Sequence, residues 1–193
     1  MKRFALAIVI ITNFLICAQS MTDTVYRVEM TGSTASIFSL FRDPRYFGAP
    51  DNIQIGYGFY VRAMWHPGRM LAMGFMSGFI YLSHDKFTPV NTNAGNVAAT
   101  LTAIPIHIVV SMQGRGFEFG IGMGPYIMKS TIEYGTTATG RRLELGLTFI
   151  GCYKFPITHA LSLGPELKAL YMSYRGIFSL MPSITLHLDA YRY

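Results

Sequence analysis

The alternation that decides the fold is clearest in residues 52–65, which read NIQIGYGFYVRAMW. Every odd position of this stretch, from Ile53 to Trp65, is apolar, whereas the even positions are mostly polar or glycine and include Arg62. Successive side chains of a β-strand point to opposite faces of the sheet. A period of two therefore predicts a strand with one apolar face and one polar or small face.

The same pattern recurs along the chain and predicts eight strands. They lie at about 24–39, 52–65, 70–83, 100–112, 117–130, 142–155, 161–171 and around 183–189. The first is the weakest, because its alternation is poor. Most of these segments are longer than the usual 5 to 6 residues of a soluble strand and approach the ~9 to 11 that cross a bilayer.

The connections between these strands alternate in length. Compact, mostly Gly- or Pro-containing turns at 66–69, 113–116 and 155–160 alternate with longer polar loops at 41–51, 84–99 and 131–141 and a shorter one at 173–176. Short turns on one side and longer loops on the other are typical of outer-membrane barrels. The sequence thus predicts an all-β fold, an eight-stranded antiparallel up-and-down transmembrane β-barrel.

The composition decides which face of the barrel is apolar. Only 13% of the 193 residues are charged and 51% are hydrophobic. A soluble lipocalin-like barrel would therefore have too few charged side chains to cover its water-facing exterior. We therefore expect the apolar face outside and the polar face inside. The net charge of +6 comes without a dense basic cluster, which argues against nucleic acid as a partner.

The N-terminus has the features of an export signal. KR at 2–3 precedes an apolar run at 4–11, and AQS at 18–20 supplies small residues for a peptidase. We expect a signal peptide over 1–20 and a barrel domain over 21–193. Lipidation at Cys17 is the alternative, although Leu and Ile precede it. Cys152 would then be the one cysteine of the mature chain, which excludes an intramolecular disulfide.

Two groups of residues follow from the phase of the strands. Charged and imidazole side chains on the inward phase predict an interior polar network of Arg62, His107, Glu118, Glu144, Lys154, Glu166, Lys168, His187 and Asp189. Aromatic residues near strand ends predict girdles at the two bilayer interfaces, formed by Trp65, Tyr81, Phe117, Tyr126, Phe155, Tyr171 and Tyr193.

Catalytic, metal and cofactor motifs are weak. His107, Ser111 and Glu118 share the inward phase and carry the residue types of an acyl-transfer site, but residues four apart on a strand lie ~13 Å apart. The five histidines lack metal-ligand spacing, and the GxGxG at 120–124 lacks the strand-turn-helix context of a dinucleotide site. We expect no metal, no cofactor and no catalytic residue.

With its signal peptide, strand count, loop alternation and terminal aromatic Tyr193, the chain resembles the small eight-stranded outer-membrane barrels of Gram-negative envelopes, the OmpA/OmpX-like and OmpW-like porin-fold families. The resemblance implies an outer-membrane location and recognition of the C-terminal strand by the barrel-insertion machinery. Tyr191 and Tyr193 lie on the inward phase of Asp189. A bulge or a fraying end near Asp189 would reconcile the two phases.

The expected function is a structural or surface-binding role, with outer-membrane lipid around the barrel and an unidentified ligand on the extracellular loops. A narrow pore for small hydrophobic molecules, as in OmpW-like families, is the first alternative. A lipid-modifying enzyme is the second, because some barrels of this size are lipid A deacylases or palmitoyltransferases. The chain lacks the His-x-Ser pairing of the deacylases.

Overall fold

The computed structural model describes residues 26–40, 53–68, 70–87, 97–134, 136–173 and 176–192. Eight long strands are present: β1 Arg27–Leu40, β2 Ile53–His66, β3 Leu71–Phe87, β4 Val97–Gly114, β5 Phe117–Tyr134, β6 Thr136–Tyr153, β7 Leu161–Met172 and β8 Ile177–Arg192. A two-residue extended piece, Phe155–Pro156, precedes β7 and pairs with it. Within the described ranges, no helix is long and apolar enough to cross a bilayer.

The eight strands form a closed antiparallel barrel. Each strand pairs with its neighbour along the chain, and β1 also pairs with β8, so that Gly32 lies opposite both Val61 and Leu186. Closure leaves no free sheet edge, which is the condition for a sheet to stand in hydrocarbon. The predicted fold class is confirmed.

The two faces lie as the composition predicts. Outward side chains are apolar and strongly exposed, for example Ile55 at 69%, Phe75 at 66% and Ile108 at 61%. Their strand neighbours of opposite phase point inside, where Arg62 is 2% exposed and His107 is fully buried. The barrel is therefore apolar outside and polar inside, the reverse of a lipocalin.

The β4–β5 turn shows how the short connections reverse the chain. Gly114 pairs with Phe117, which leaves only Arg115 and Gly116 between the strands, with φ of 50° and 86°. Two central residues with positive φ form the hairpin turn whose twist matches that of the flanking strands. Gly116 adopts this conformation without the steric cost that a side chain would add.

Two predicted loops are shorter than the sequence indicated. β3 continues to Phe87 and β4 begins at Val97, while β5 continues to Tyr134 and β6 begins at Thr136. The predicted loop at 131–141 is therefore wrong. The segment is a paired hairpin, with Thr131 opposite Thr139, because its Thr and Ile residues favour extended backbone and each strand offers the other a ladder partner. The loop predicted at 41–51 and the signal peptide over 1–20 lie outside the described residues.

A bulge corrects the phase of the last strand. Val28 pairs with Tyr191 and Glu29 with Asp189, so Ala190 is an extra residue in β8. The bulge turns Tyr191 outward, where it is 61% exposed, while His187 stays inside. Of the two sequence-based alternatives near Asp189, the bulge is the one present.

Candidate functional site

Glu29, at the turn-side end of β1, organises the densest polar cluster inside the barrel. Lys154 Nζ donates to both carboxylate oxygens at 2.7 and 3.0 Å, and His187 Nδ1 lies 2.7 Å from Oε1. His66 Nε2 and Arg27 Nη2 each lie 3.3 Å from Oε2. A carboxylate that is 2% exposed would be costly alone, and the hydrogen bonds to Lys154 and His187 together with the neighbouring Arg27 and His66 side chains compensate it.

From Glu29 a chain of alternating charges crosses the interior. Lys154 Nζ also lies 2.9 Å from Glu118 Oε2, and Arg62 bridges Glu118 at 3.4 Å and Glu166 at 3.2 Å. Glu166 in turn accepts a hydrogen bond from Lys168. We call this set the charge chain; it consists of Glu29, Lys154, Glu118, Arg62, Glu166 and Lys168.

Hydroxyl groups form hydrogen bonds with Glu166 and Lys168, at one end of the charge chain. Thr185 Oγ1 donates to Glu166 Oε1 at 2.8 Å, and Lys168 Nζ donates to Ser33 Oγ at 2.8 Å. The Lys168 ammonium also lies 4.7 Å from the centroid of the Tyr60 ring. These contacts join β7, β8, β1 and β2, which are consecutive around the barrel, and Arg62 of β2 reaches Glu118 of β5 across the interior, so the charge chain ties opposite walls together.

The interior toward the loops is mainly apolar, with a few buried polar side chains such as Ser39 and Ser179, whose hydroxyl oxygens lie 2.7 Å apart. The fully buried hydrophobic side chains there are Ile37, Ile80, Leu82, Leu170, Met172 and Ile177. Below them Tyr60 Oη donates to Met181 Sδ at 3.3 Å. Because these side chains have no exposed surface, the described interior is filled on the loop side by packed hydrocarbon rather than by a water-lined channel.

The structure brings together most of the residues predicted as an interior network. Arg62, Glu118, Lys154, Glu166 and Lys168 belong to the charge chain, and His187 joins it through Glu29. Three others lie apart from it. His107 hydrogen-bonds Thr148, Glu144 lies 4.0 Å from Arg142, and Asp189 lies 3.8 Å from Arg27.

The sequence reasoning missed Glu29, Arg27 and His66. The signal for Glu29 was present, because Arg27, Glu29 and Thr31 alternate with the apolar Val28 and Met30. The alternation of that strand is weak because its outward face carries small residues at 32, 34 and 36. The sequence places His66 in a turn, but it is the last residue of β2 and is only 1% exposed.

His107 does not form a catalytic arrangement with Ser111. Its Nδ1 lies 2.9 Å from Thr148 Oγ1, which also lies 3.2 Å from Tyr126 Oη, and its ring packs edge-on against Tyr126 at 4.6 Å. Among the described hydrogen bonds, none joins His107 to Ser111 or to Glu118. Ser111 is 1% exposed, so the hydroxyl also lacks access for a substrate.

Three side chains come close enough to share a metal ion. Ligand atoms of Glu29, Glu118 and His187 all lie within 4.8 Å of one another. The Lys154 ammonium already lies between the two carboxylates, at 2.7 Å from Glu29 and 2.9 Å from Glu118. The positive charge that the carboxylates need is therefore supplied by the chain itself.

Most of the predicted girdle residues point outward near strand ends. The exposed fractions are 40% for Trp65, 50% for Phe117, 54% for Phe155 and 43% for Tyr171, and Tyr81 is partly exposed. The prediction for Tyr126 is wrong: it is fully buried, since it lies on the inward phase of β5. Tyr193 lies outside the described residues.

Two solved structures resemble this barrel. Neisserial surface protein A matches with a TM-score of 0.57 at 9% identity, over 86% of this chain and 99% of that one. Ail, the attachment invasion locus protein of Yersinia pestis, matches with a TM-score of 0.53 at 8% identity, over 84% and 99%, in a complex with the heparin analogue sucrose octasulfate. No protein-family model and no curated sequence matches the chain.

Proposed function

We propose that this chain, which has the fold of the small eight-stranded outer-membrane β-barrels, is an outer-membrane protein with a structural or surface-binding role and no catalytic activity. The observation that carries the proposal is the pairing of an apolar exterior with a filled interior. An exterior of this kind needs a bilayer, and an interior of this kind leaves the loop side as the functional surface.

The exterior supports the membrane location. Neighbouring strands present side chains such as Phe75, Ile108 and Met123 in one row, with exposed fractions of 61–66%. A soluble protein rarely exposes a contiguous apolar surface of this size. In a bilayer the same surface meets acyl chains without cost.

The loop side supports a surface role. β5 and β6 have 18 residues each, whereas ~9 to 11 residues cross the hydrocarbon, so their hairpin projects beyond the apolar exterior. Its outer part is exposed on both strands and includes Ile132 at 44%. Ail has been solved in complex with the heparin analogue sucrose octasulfate, and for this chain we propose a ligand-binding surface on the loop side.

The chain's route to the membrane belongs to the same proposal. The insertion machinery would recognise β8, which closes the barrel by pairing with both β7 and β1. Cleavage after Ser20 would release the barrel domain over 21–193.

Conductance separates this proposal from the narrow pore. We expect planar bilayers with the inserted barrel to conduct no more than bare lipid, because packed side chains such as Leu82, Leu170 and Met172 close the interior. Insertion is verified in the same sample by the slower gel migration of the boiled protein. Discrete conductance steps from the folded protein would contradict the filled interior and favour the pore.

A further inference from the structure

We propose that the outward side of β2–β6, at the loop-side edge of the apolar exterior, binds the phosphorylated headgroup of an outer-leaflet lipid, with Lys129 and Arg141 contacting the phosphate. The proposal rests on the membrane location proposed above and names a ligand class for one side of the barrel. It is carried by three features of the exterior: a row of polar donors, an unneutralised pair of cations and an apolar row beneath them.

The row of donors runs across five neighbouring strands. Tyr57 pairs with Tyr81, Tyr81 with Thr102, Thr102 with Lys129, and Lys129 with Arg141. We call these five residues the rim row. All five lie on the outward phase, and the Tyr57 and Tyr81 rings stack at 5.0 Å. Phenolic, hydroxyl, ammonium and guanidinium groups therefore form one inclined band on the outer wall, which rises toward the loops from Tyr57 to Arg141 because the strands of such a barrel are tilted.

The two cations of the rim row are direct cross-strand neighbours. Side chains in such positions have Cβ atoms about 5 Å apart, and like charges there repel. Among the ion pairs of the described residues, none includes Lys129 or Arg141. Glu133, on the same outward phase, lies four residues further along β5, about 13 Å away. An anion between the two cations would turn the repulsion into a double charge-assisted contact.

The row beneath the cations decides what kind of anion fits. Ile104 pairs with Ile127, and Ile127 with Leu143, one step toward the barrel centre from Lys129 and Arg141. Their exposed fractions are 40%, 37% and 66%. A ligand that uses both rows needs a phosphate above and acyl chains below, which describes a phosphorylated lipid and not a free phosphate or a soluble sulfated sugar.

The outward residues at the loop-side ends of the other described strands are uncharged, so the proposed site lies on one side of the barrel only. At the loop-side ends of β7, β8 and β1 the outward residues are Tyr171, Phe178 and Leu40, with exposed fractions of 43%, 40% and 49%. These three side chains carry no positive charge. A phosphorylated lipid is therefore expected to bind on the β5–β6 side in preference to the β7–β1 side.

The test is native mass spectrometry of the full-length mature barrel in detergent, with diphosphoryl lipid A as the probe. We expect the wild type to retain the probe, Lys129→Gln to bind it about fivefold more weakly, and Lys129→Gln with Arg141→Gln about 25-fold more weakly. The matched control is Arg115→Gln, which removes a cation from the β4–β5 turn at the other end of the same strands and should bind like the wild type.

Unchanged binding by the double variant would overturn the site. So would full displacement of the probe by equimolar inorganic phosphate or by equimolar sucrose octasulfate, since either result would show that the acyl chains contribute nothing. Each variant is first run on a gel with and without boiling. A variant that keeps the heat-dependent shift but loses the lipid supports the site, whereas a wild type without that shift contradicts the barrel itself and not the lipid site alone.

Discussion

Replacing Glu29 by Gln should lower the free energy of unfolding by about 3–5 kcal/mol, the cost of removing one member of a buried charge pair. The carboxylate is 2% exposed and compensates Lys154, His187 and Arg27 within 3.3 Å. The amide keeps the volume but leaves these donors with less negative charge among them. Urea-induced unfolding in lipid vesicles, followed by the fluorescence of Trp65, the one tryptophan of the chain, measures the change.

The control for Glu29 is Glu133→Gln, the same replacement on the exposed part of the β5–β6 hairpin. Its expected effect is within about 0.5 kcal/mol, as for most surface substitutions. Equal stabilities of the two variants would show that Glu29 is hydrated and that the charge chain does not hold the walls together.

A lysine in place of Ile108 should cost about 2–4 kcal/mol in a bilayer. Ile108 is 61% exposed at the middle of the outward row of β4 and lies between Phe75 and Met123. A cation there would have to enter hydrocarbon or bend its stem toward a distant interface. The same vesicle titration measures the loss, which should shrink in detergent micelles, where water reaches the surface more easily.

Ile132→Lys is the control for Ile108→Lys, at a position that has the inward phase of Tyr126 and Met128. Ile132 is also exposed, at 44%, but it lies on the part of β5 that projects beyond the apolar exterior. Near an interface the cost of a lysine falls to about 0–1 kcal/mol. If both replacements cost the same, the outward face of β4 does not lie in lipid, and the membrane location fails.

Alternation and the scarcity of charged residues together were sufficient to predict the barrel and its two faces. A period of two places each residue on one wall or the other, and the scarcity of charge then decides which wall is outside. Tyr126 shows the rule at work, because its inward phase predicted the interior, while its aromatic ring and its place toward the end of the predicted strand 117–130 suggested the girdle. The phase was the correct guide.

The contacts inside the barrel were harder to predict. Alternation assigns Glu118, Arg62 and Glu166 to the interior, but their distances depend on the stagger between strands that are far apart in sequence. Glu29 was missed because the outward face of β1 carries small residues that weaken its alternation. The β5–β6 hairpin was missed because its outer part is polar or small at nearly every position. It therefore lacks the apolar/polar alternation that identifies a strand in the sequence.

Gel electrophoresis of the mature protein in detergent, with and without boiling, tests the closed membrane barrel most directly. Closed barrels of this kind resist SDS until heated, because every backbone ladder is satisfied within the wall. We predict a faster band for the unboiled sample that shifts on boiling, from protein recovered in the membrane fraction. A single band at one position, from protein recovered in the soluble fraction, would contradict the membrane barrel. The apolar face would then have to lie inside, as in a lipocalin.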